Sequence, residues 1–249
     1  LSQVSGRLGV KVLAQGLEFS TQALQFDTED GLHWPGGNVR VALFTGDAKD
    51  ARQSASGSGE LVADRLDLAA LARIASRLPL DEAVRAHLQE LAPKGLIERL
   101  EGNWQDSGGE LSGFAAKGRV VGLELAPQTA EQGMRPGFGG ADIDFDFTRQ
   151  GGRARVAVRQ GRVDAPGLFE DPLIELEQLS GDVQWKMDGP HTSLTISDLH
   201  FGNADVQGVA QLKWQTDATT PLPGLIDLQG NLSRAEARRA SQATRTAPK

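Results

Sequence analysis

From residue 204 to residue 214, apolar and polar positions alternate almost without a break. Ala204, Val206, Gly208, Ala210, Leu212 and Trp214 fall on one side, and Asp205, Gln207, Gln211 and Lys213 on the other. Side chains of a strand point alternately to its two faces, so this period predicts a long strand with one dry and one wet face. The pattern recurs along nearly the whole chain. Val4, Gly6, Leu8, Val10 and Val12 make a first dry face, a second strand covers about 17–27, and Val39, Val41 and Leu43 make a third. Later strands carry Ala141, Ile143, Phe145 and Phe147 against three aspartates, then Ala154, Val156 and Val158, then Val183, Trp185 and Met187, then Leu194 and Ile196. A last one carries Ile226, Leu228, Gly230 and Leu232. In 111–125, Ala116, Gly118 and Val120 give way to Val121, Leu123 and Leu125, a change of phase that predicts a bulge. Leu96, Leu100, Gly102 and Trp104 share a face on which Glu98 is the exception.

Asp30-Gly31, Pro35-Gly-Gly37, Gln150-Gly-Gly152 and Asp188-Gly-Pro190 are turn signals between these runs. Residues 46–59, with the cluster Ser54-Ala-Ser-Gly-Ser-Gly59, and residues 126–140, with Pro127 and Pro136, read as loops. Helical spacing occurs in one place. Leu68, Leu71, Ile74 and Leu78 recur every three or four residues after Asp67, a candidate N-cap. Pro79 interrupts. Asp81 can cap a second helix striped by Val84, Leu88 and Leu91, with Asp81 and Arg85 at i,i+4, and Pro93 and Gly95 stop it. The expected fold is mainly β: a long antiparallel meander of about twelve strands, curved into a groove or closing as a sandwich, with one α-helical hairpin near 68–92 that covers part of the sheet. Residues 60–73 and 225–238 echo each other as strand, cap residue (Asp67 or Ser233) and helix start. The expected organisation is therefore one elongated β domain over 1–233 with the hairpin inserted at 68–92, and over 234–249 the start of a further helix or a frayed polar tail.

Composition narrows the function. The chain has 249 residues, 30 Gly, 11 Pro, 5% aromatics and a net charge of -7. That balance disfavours nucleic acid as a partner, because phosphates call for a basic surface. There is no Cys, so disulfides, thiol catalysis and Cys-ligated metals are excluded. No apolar run approaches the roughly 20 residues of a membrane span. The opening Leu1 leads straight into strand pattern, so the chain reads as an internal piece of something longer.

Chemistry is sparse. His33, His87, His191 and His200 lack ligand spacing to one another or to a carboxylate pair. Asp142-Ile-Asp-Phe-Asp146 starts like a calcium loop, but the twelfth position is Arg153 and its alternation is that of a solvated strand face. Neither a nucleophile elbow nor a phosphate-binding loop is present. The expectation is a non-enzymatic protein without cofactor or metal.

A dozen strands offer a dry face about 50 Å across, and two short helices cover only a few of them. Large contiguous apolar patches are rarely left bare. The sheet therefore closes on itself or holds an apolar ligand. A face of Val, Leu, Ile, Ala and Gly suits acyl chains, which ask only for dry, non-directional surface, and equally suits an ordinary sandwich core. Val156, Val158, Val183, Trp185, Val206, Leu212 and Trp214 are the candidate lining residues. Trp104, Trp185 and Trp214 fall late in their strands on the dry side, where they mark a rim or close the end of a core.

Several short motifs bear on the choice. They are Ala63-Asp-Arg-Leu-Asp-Leu-Ala-Ala-Leu, Leu78-Pro-Leu, Leu91-Ala-Pro-Lys-Gly, Ala165-Pro-Gly-Leu-Phe-Glu-Asp-Pro-Leu, Leu179-Ser-Gly-Asp-Val-Gln-Trp and Gly230-Asn-Leu-Ser-Arg-Ala-Glu-Ala-Arg. In this order, over roughly 59–238, the chain resembles the YhdP branch of the AsmA-like/TamB proteins of Gram-negative envelopes. After Arg238 it departs from the family's apolar helix with Ser-Gln-Ala-Thr-Arg-Thr. The resemblance implies an internal periplasmic segment of an inner-membrane-anchored protein, whose β-groove carries phospholipid toward the outer membrane. Its implied partners are phospholipid acyl chains, the rest of the same long chain and other envelope proteins. It brings no catalytic residues. The alternative it leaves is a structural or interaction segment with a closed dry core.

Overall fold

A computed structural model of the chain describes residues 2–46, 57–77, 82–107, 110–128, 135–167, 172–189, 191–216 and 224–235. The long alternating runs form strands β1 (Gln3–Leu13), β2 (Gly16–Asp27), β4 (Val39–Thr45), β5 (Gly57–Ala63), β7 (Lys94–Ser107), β8 (Glu110–Leu125), β9 (Gly137–Thr148), β10 (Gly151–Asp164), β11 (Leu173–Asp188), β12 (His191–Gly202), β13 (Val206–Thr216) and β14 (Leu225–Ala235). Two-residue strands β3 (His33–Trp34) and β6 (Leu66–Asp67) pair with β2 and β7. All strands belong to one antiparallel sheet in the order β1-β2-β4-β5-β7-β8-β9-β10-β11-β12-β13-β14. Each long strand lies beside its neighbour in sequence, as short turns dictate. β1 and β14 are the two ends of the order, so the sheet is not closed into a barrel.

Register turns the alternation of each strand into a property of the sheet. Residues paired across strands share a face. One row reads Val10, Phe19, Val41, Leu61, Gly102, Ala116, Phe147, Gly152, Trp185, Leu194, Trp214, Ile226, each directly opposite the next across neighbouring strands. The adjacent row reads Leu8, Thr21, Val39, Ala63, Leu100, Gly118, Phe145, Ala154, Val183, Ile196, Leu212, Leu228. Thr21 is the one polar side chain in the two rows together.

Irregularities keep these rows aligned. Register shifts fall at 22–25 in β2 (opposite Ser5 and Arg7), 97–99 in β7, 120–123 in β8 and 196–199 in β12. Each bends the strand that carries it. The predicted phase change in β8 is such a bulge. Gly122 takes φ +62, which returns Leu123 and Leu125 to the face of Val120 opposite Ala141 and Phe138.

The helices are α1 (Leu68–Ala75) and α2 (Glu82–Leu91). Asp67 caps α1 as expected, its side chain accepting from the Ala70 N–H at 2.7 Å. Ala70, Leu71 and Ile74 pack over the dry face at one end of β4, β5 and β7, against Val39, Ala63, Ile97 and Leu100. Leu32 and Trp34 from the 28–34 segment complete this cluster, and Trp34 stacks on Phe26 at 6.0 Å. Arg73 fastens that segment to α1 by donating to the carbonyls of Gly31 (2.9 Å) and Asp30 (3.1 Å), while Arg77 pairs with the Asp30 carboxylate. Burying Leu32, Trp34 and Leu66 stabilises this plug by about 1.5–3 kcal/mol each.

The structure corrects several expectations. Residues 137–140 are strand rather than loop, and β5 begins at Gly57, inside the stretch expected to be loop. Ile97 rather than Leu96 joins Leu100 on the dry face. The shift at 97–99 swaps the phase and releases Glu98 to reach Arg119 at 3.3 Å on the wet face. Ser233 does not cap a helix: it lies in β14, and its hydroxyl donates to the Gln207 carbonyl at 3.2 Å. Residues 47–56, Leu78, Pro79, Asp81 and 236–249 lie outside the described residues.

Candidate functional site

The seven predicted lining residues all fall on the one dry face. Val156 and Val158 are on β10, Val183 and Trp185 on β11, and Val206, Leu212 and Trp214 on β13. Trp185 and Trp214 are joined through Leu194, and Val183 and Leu212 through Ile196. Val158 begins a further apolar row through Leu179, Phe201, Gly208 and Leu232. Val158 is buried and the other six are half-buried.

The site is much larger than those seven positions. It takes in Leu8, Val10 and Phe19 on the first strands, Leu61 and Phe147 in the middle, and Ile226 and Leu228 on the last. The same alternation marks each of these. What was missing from the sequence was the register that joins them. Aromatic rings touch along the middle of the face: Phe145 with Phe147 at 5.6 Å, Phe114 with Phe147 at 6.2 Å and Phe147 with Trp185 at 6.3 Å. Trp185 and Trp214 share one row, and Trp104 lies in the next row toward the strand ends away from α1.

Exposure decides between the two shapes the sequence allowed. A sandwich packs its inner faces about 10 Å apart and dries them. Here Leu8 is 76% exposed, Val10 67%, Phe19 43% and Leu228 63%. Five residues form the buried cluster beneath α1, and elsewhere on this face only Val120, Ala141 and Val158 are buried among the described large and small apolar side chains. Among the described residues the dry face is thus exposed on β1, β2 and β14 and, outside the plug, half-buried rather than sealed across most of the strands between.

The opposite face is laced with charge. Arg119 is held by Asp144 (2.7 Å), Glu98 (3.3 Å) and Asp142 (3.6 Å). Lys117 pairs with Glu101 at 2.8 Å, Arg153 with Asp146 at 3.0 Å and Arg155 with Asp182 at 3.0 Å. The aspartates that began like a calcium loop thus belong to cross-strand ion pairs. Such pairs fix register and keep this face wet, with modest stabilisation each. Near the plug, Asp64 accepts from the Asn38 backbone N–H at 2.7 Å and from its side-chain amide at 2.5 Å. The backbone hydrogen bond is the main reason that its carboxyl titrates below its ordinary value, against a smaller opposing effect of burial.

Among the described residues no cluster of His, Asp and Glu could hold a metal, and no helix is long and apolar enough to cross a membrane. The described site is thus an extended apolar surface. A single-layer sheet, charged on one side and continuously apolar on the other, defines the class: an open-sheet β protein built around an uncovered dry face. A family profile described as YhdP protein matches residues 1–242, and the chain belongs to the YhdP family. Comparison with curated proteins and with solved structures gave no match.

Proposed function

We propose that this chain is a non-enzymatic, periplasmic segment of an inner-membrane-anchored envelope protein, and that its dry face carries phospholipid acyl chains between the inner and outer membranes. The observation that carries the reading is the unbroken apolar row from Val10 on β1 to Ile226 on β14, exposed at its two ends and half-buried, nowhere fully buried, between them. Water contact along such a surface is costly, and acyl chains relieve it without needing directional partners. The absence of a polar barrier lets a chain slide from strand to strand at nearly constant free energy, which is what conduction needs. A headgroup stays in water at the open side of the face. Membership of an envelope family supports the compartment and the ligand class.

Native mass spectrometry of the 249-residue chain after incubation with phosphatidylethanolamine vesicles tests this. Bound phospholipid is the expected result. A chain that stays folded and lipid-free over a range of lipid concentrations would count against transport.

A further inference from the structure

We propose that Gly59 and Trp104 set the clearance of a neck in the dry face, through which acyl chains pass one row wide. The inference deepens the transport reading and rests on it. Three consecutive rows cross β4, β5 and β7. Val39, Ala63 and Leu100 lie beneath α1 in the buried cluster, with Ala63 only 2% exposed. Val41, Leu61 and Gly102 come next and are uncovered by the cluster, and Leu43, Gly59 and Trp104 follow. Rows on one face are about 7 Å apart, two residues along a strand. The open floor between the plug and Trp104 is thus a single row.

That floor is built of small residues where β7 meets β8. Gly102 has no side chain, and a β-carbon there would meet nothing nearer than 3.6 Å. Its partner toward β8 is Ala116. Leu61, beside Val41, is the side chain that rises highest from the floor of the neck.

Trp104 stays out of the neck because of Gly59. The two face each other directly across β5 and β7. A β-carbon on residue 59 would lie 2.1, 2.4 and 2.6 Å from three indole carbons, and these are its three nearest atoms. The indole therefore lies flat on the glycine, as a ring covers a bare strand position. Any side chain at 59 must lift the ring. Movement outward is opposed by Asp106, in the next row on this face, whose carboxylate accepts the Gly57 N–H at 3.2 Å. With movement outward opposed, the raised indole stands up from the sheet beside Leu61 and Gly102 and narrows the neck.

The test uses the whole 249-residue chain with vesicles of phosphatidylethanolamine carrying a diazirine in one acyl chain, and crosslinked peptides are located by mass spectrometry. Two regions are compared: the neck around Leu61 and Gly102, and a distant reference around Leu212. Gly59→Ala is expected to reduce neck crosslinks about tenfold, the effect of an overpacking cost near 1.4 kcal/mol, with the reference unchanged. Adding Trp104→Leu to Gly59→Ala is expected to restore them. Neck crosslinks that persist in Gly59→Ala, or that the double substitution leaves low while the reference holds, overturn the neck. If Gly59→Ala does not fold, Trp104→Ala decides: a rise in neck crosslinks supports the neck, and no change overturns it. Absence of crosslinks at both regions of the unsubstituted chain is a different pattern, and it overturns the transport reading together with the neck.

Discussion

Phe147 and Trp185 lie on β9 and β11 with β10 between them, yet their ring centroids are 6.3 Å apart. Second-neighbour strands are separated by about 10 Å. The rings meet because the residue between them is Gly152, paired to Phe147 on one side and to Trp185 on the other. A β-carbon there would come within 2.3 Å of the Phe147 β-carbon and 2.7 Å of the Asp146 carbonyl oxygen. Gly152→Ala should destabilise the sheet by about 1–3 kcal/mol, the usual cost of forcing volume into a packed site. Urea denaturation followed by tryptophan fluorescence measures it, and an unchanged midpoint would mean that the strand shifts freely.

Charge placed on the two kinds of apolar surface should have opposite consequences. Leu228 is 63% exposed, so Leu228→Asp should leave stability nearly unchanged while removing photo-crosslinks to acyl chains near β14. Ala70, on the face of α1 turned to the sheet, is 4% exposed. Ala70→Asp buries an unpaired carboxylate and should cost several kcal/mol. Circular dichroism melting curves and lipid crosslinking on the same samples separate the two effects.

Arg119 joins three carboxylates on the wet face. Arg119→Ala leaves Glu98, Asp142 and Asp144 to repel one another and should lower stability by about 1–2 kcal/mol. Lipid binding should not change, because the substitution is on the other side of the sheet. Chemical denaturation in low and high salt checks it, and the loss should shrink as salt screens the three charges.

Asp64 supplies a pH dependence. Its hydrogen bonds from Asn38 hold the folded carboxyl below its ordinary value. A depressed carboxyl stabilises the fold above its unfolded pKa, and the contribution is lost as pH falls through the folded value. Acid should therefore weaken the join between β4 and β5 below about pH 4. Asp64→Asn should be weaker than the parent at neutral pH and lose less of its stability over that acid range, as thermal melts between neutral and acidic pH would show.

Much of this molecule is legible in its sequence, because alternation, cap and bulge are local signals. Asp67 as the α1 cap, the bulge after Val120 and the dry side of β13 are all set by residues within a few positions of one another. The failures have physical causes too. Two-residue strands such as β3 and β6 have no period to detect. The shift at 97–99 moves Ile97 onto the face assigned to Leu96, and a shift is visible only against the partner strand. Gly137 to Gly140 look like loop composition, yet β8 and β10 pair them into a strand. Ser233 has the chemistry of a cap, but pairing to β13 keeps it extended. Above all, alternation says that a face is dry without saying what covers it. A groove and a sandwich differ only in long-range packing, and it took the single open sheet order, with Leu8, Val10 and Leu228 left exposed at its two ends, to show it.

The four tryptophans offer the most direct test of the dry face as a lipid surface. Trp104, Trp185 and Trp214 lie on that face, whereas Trp34 is 6% exposed in the plug beneath α1. In four variants, each keeping one tryptophan with the others replaced by Phe, fluorescence is measured in vesicles of phospholipid brominated along the acyl chains. Strong quenching of Trp104, Trp185 and Trp214, with Trp34 spared, is the predicted result. Equal quenching of all four, or none at the three dry-face positions in folded protein, would contradict the account.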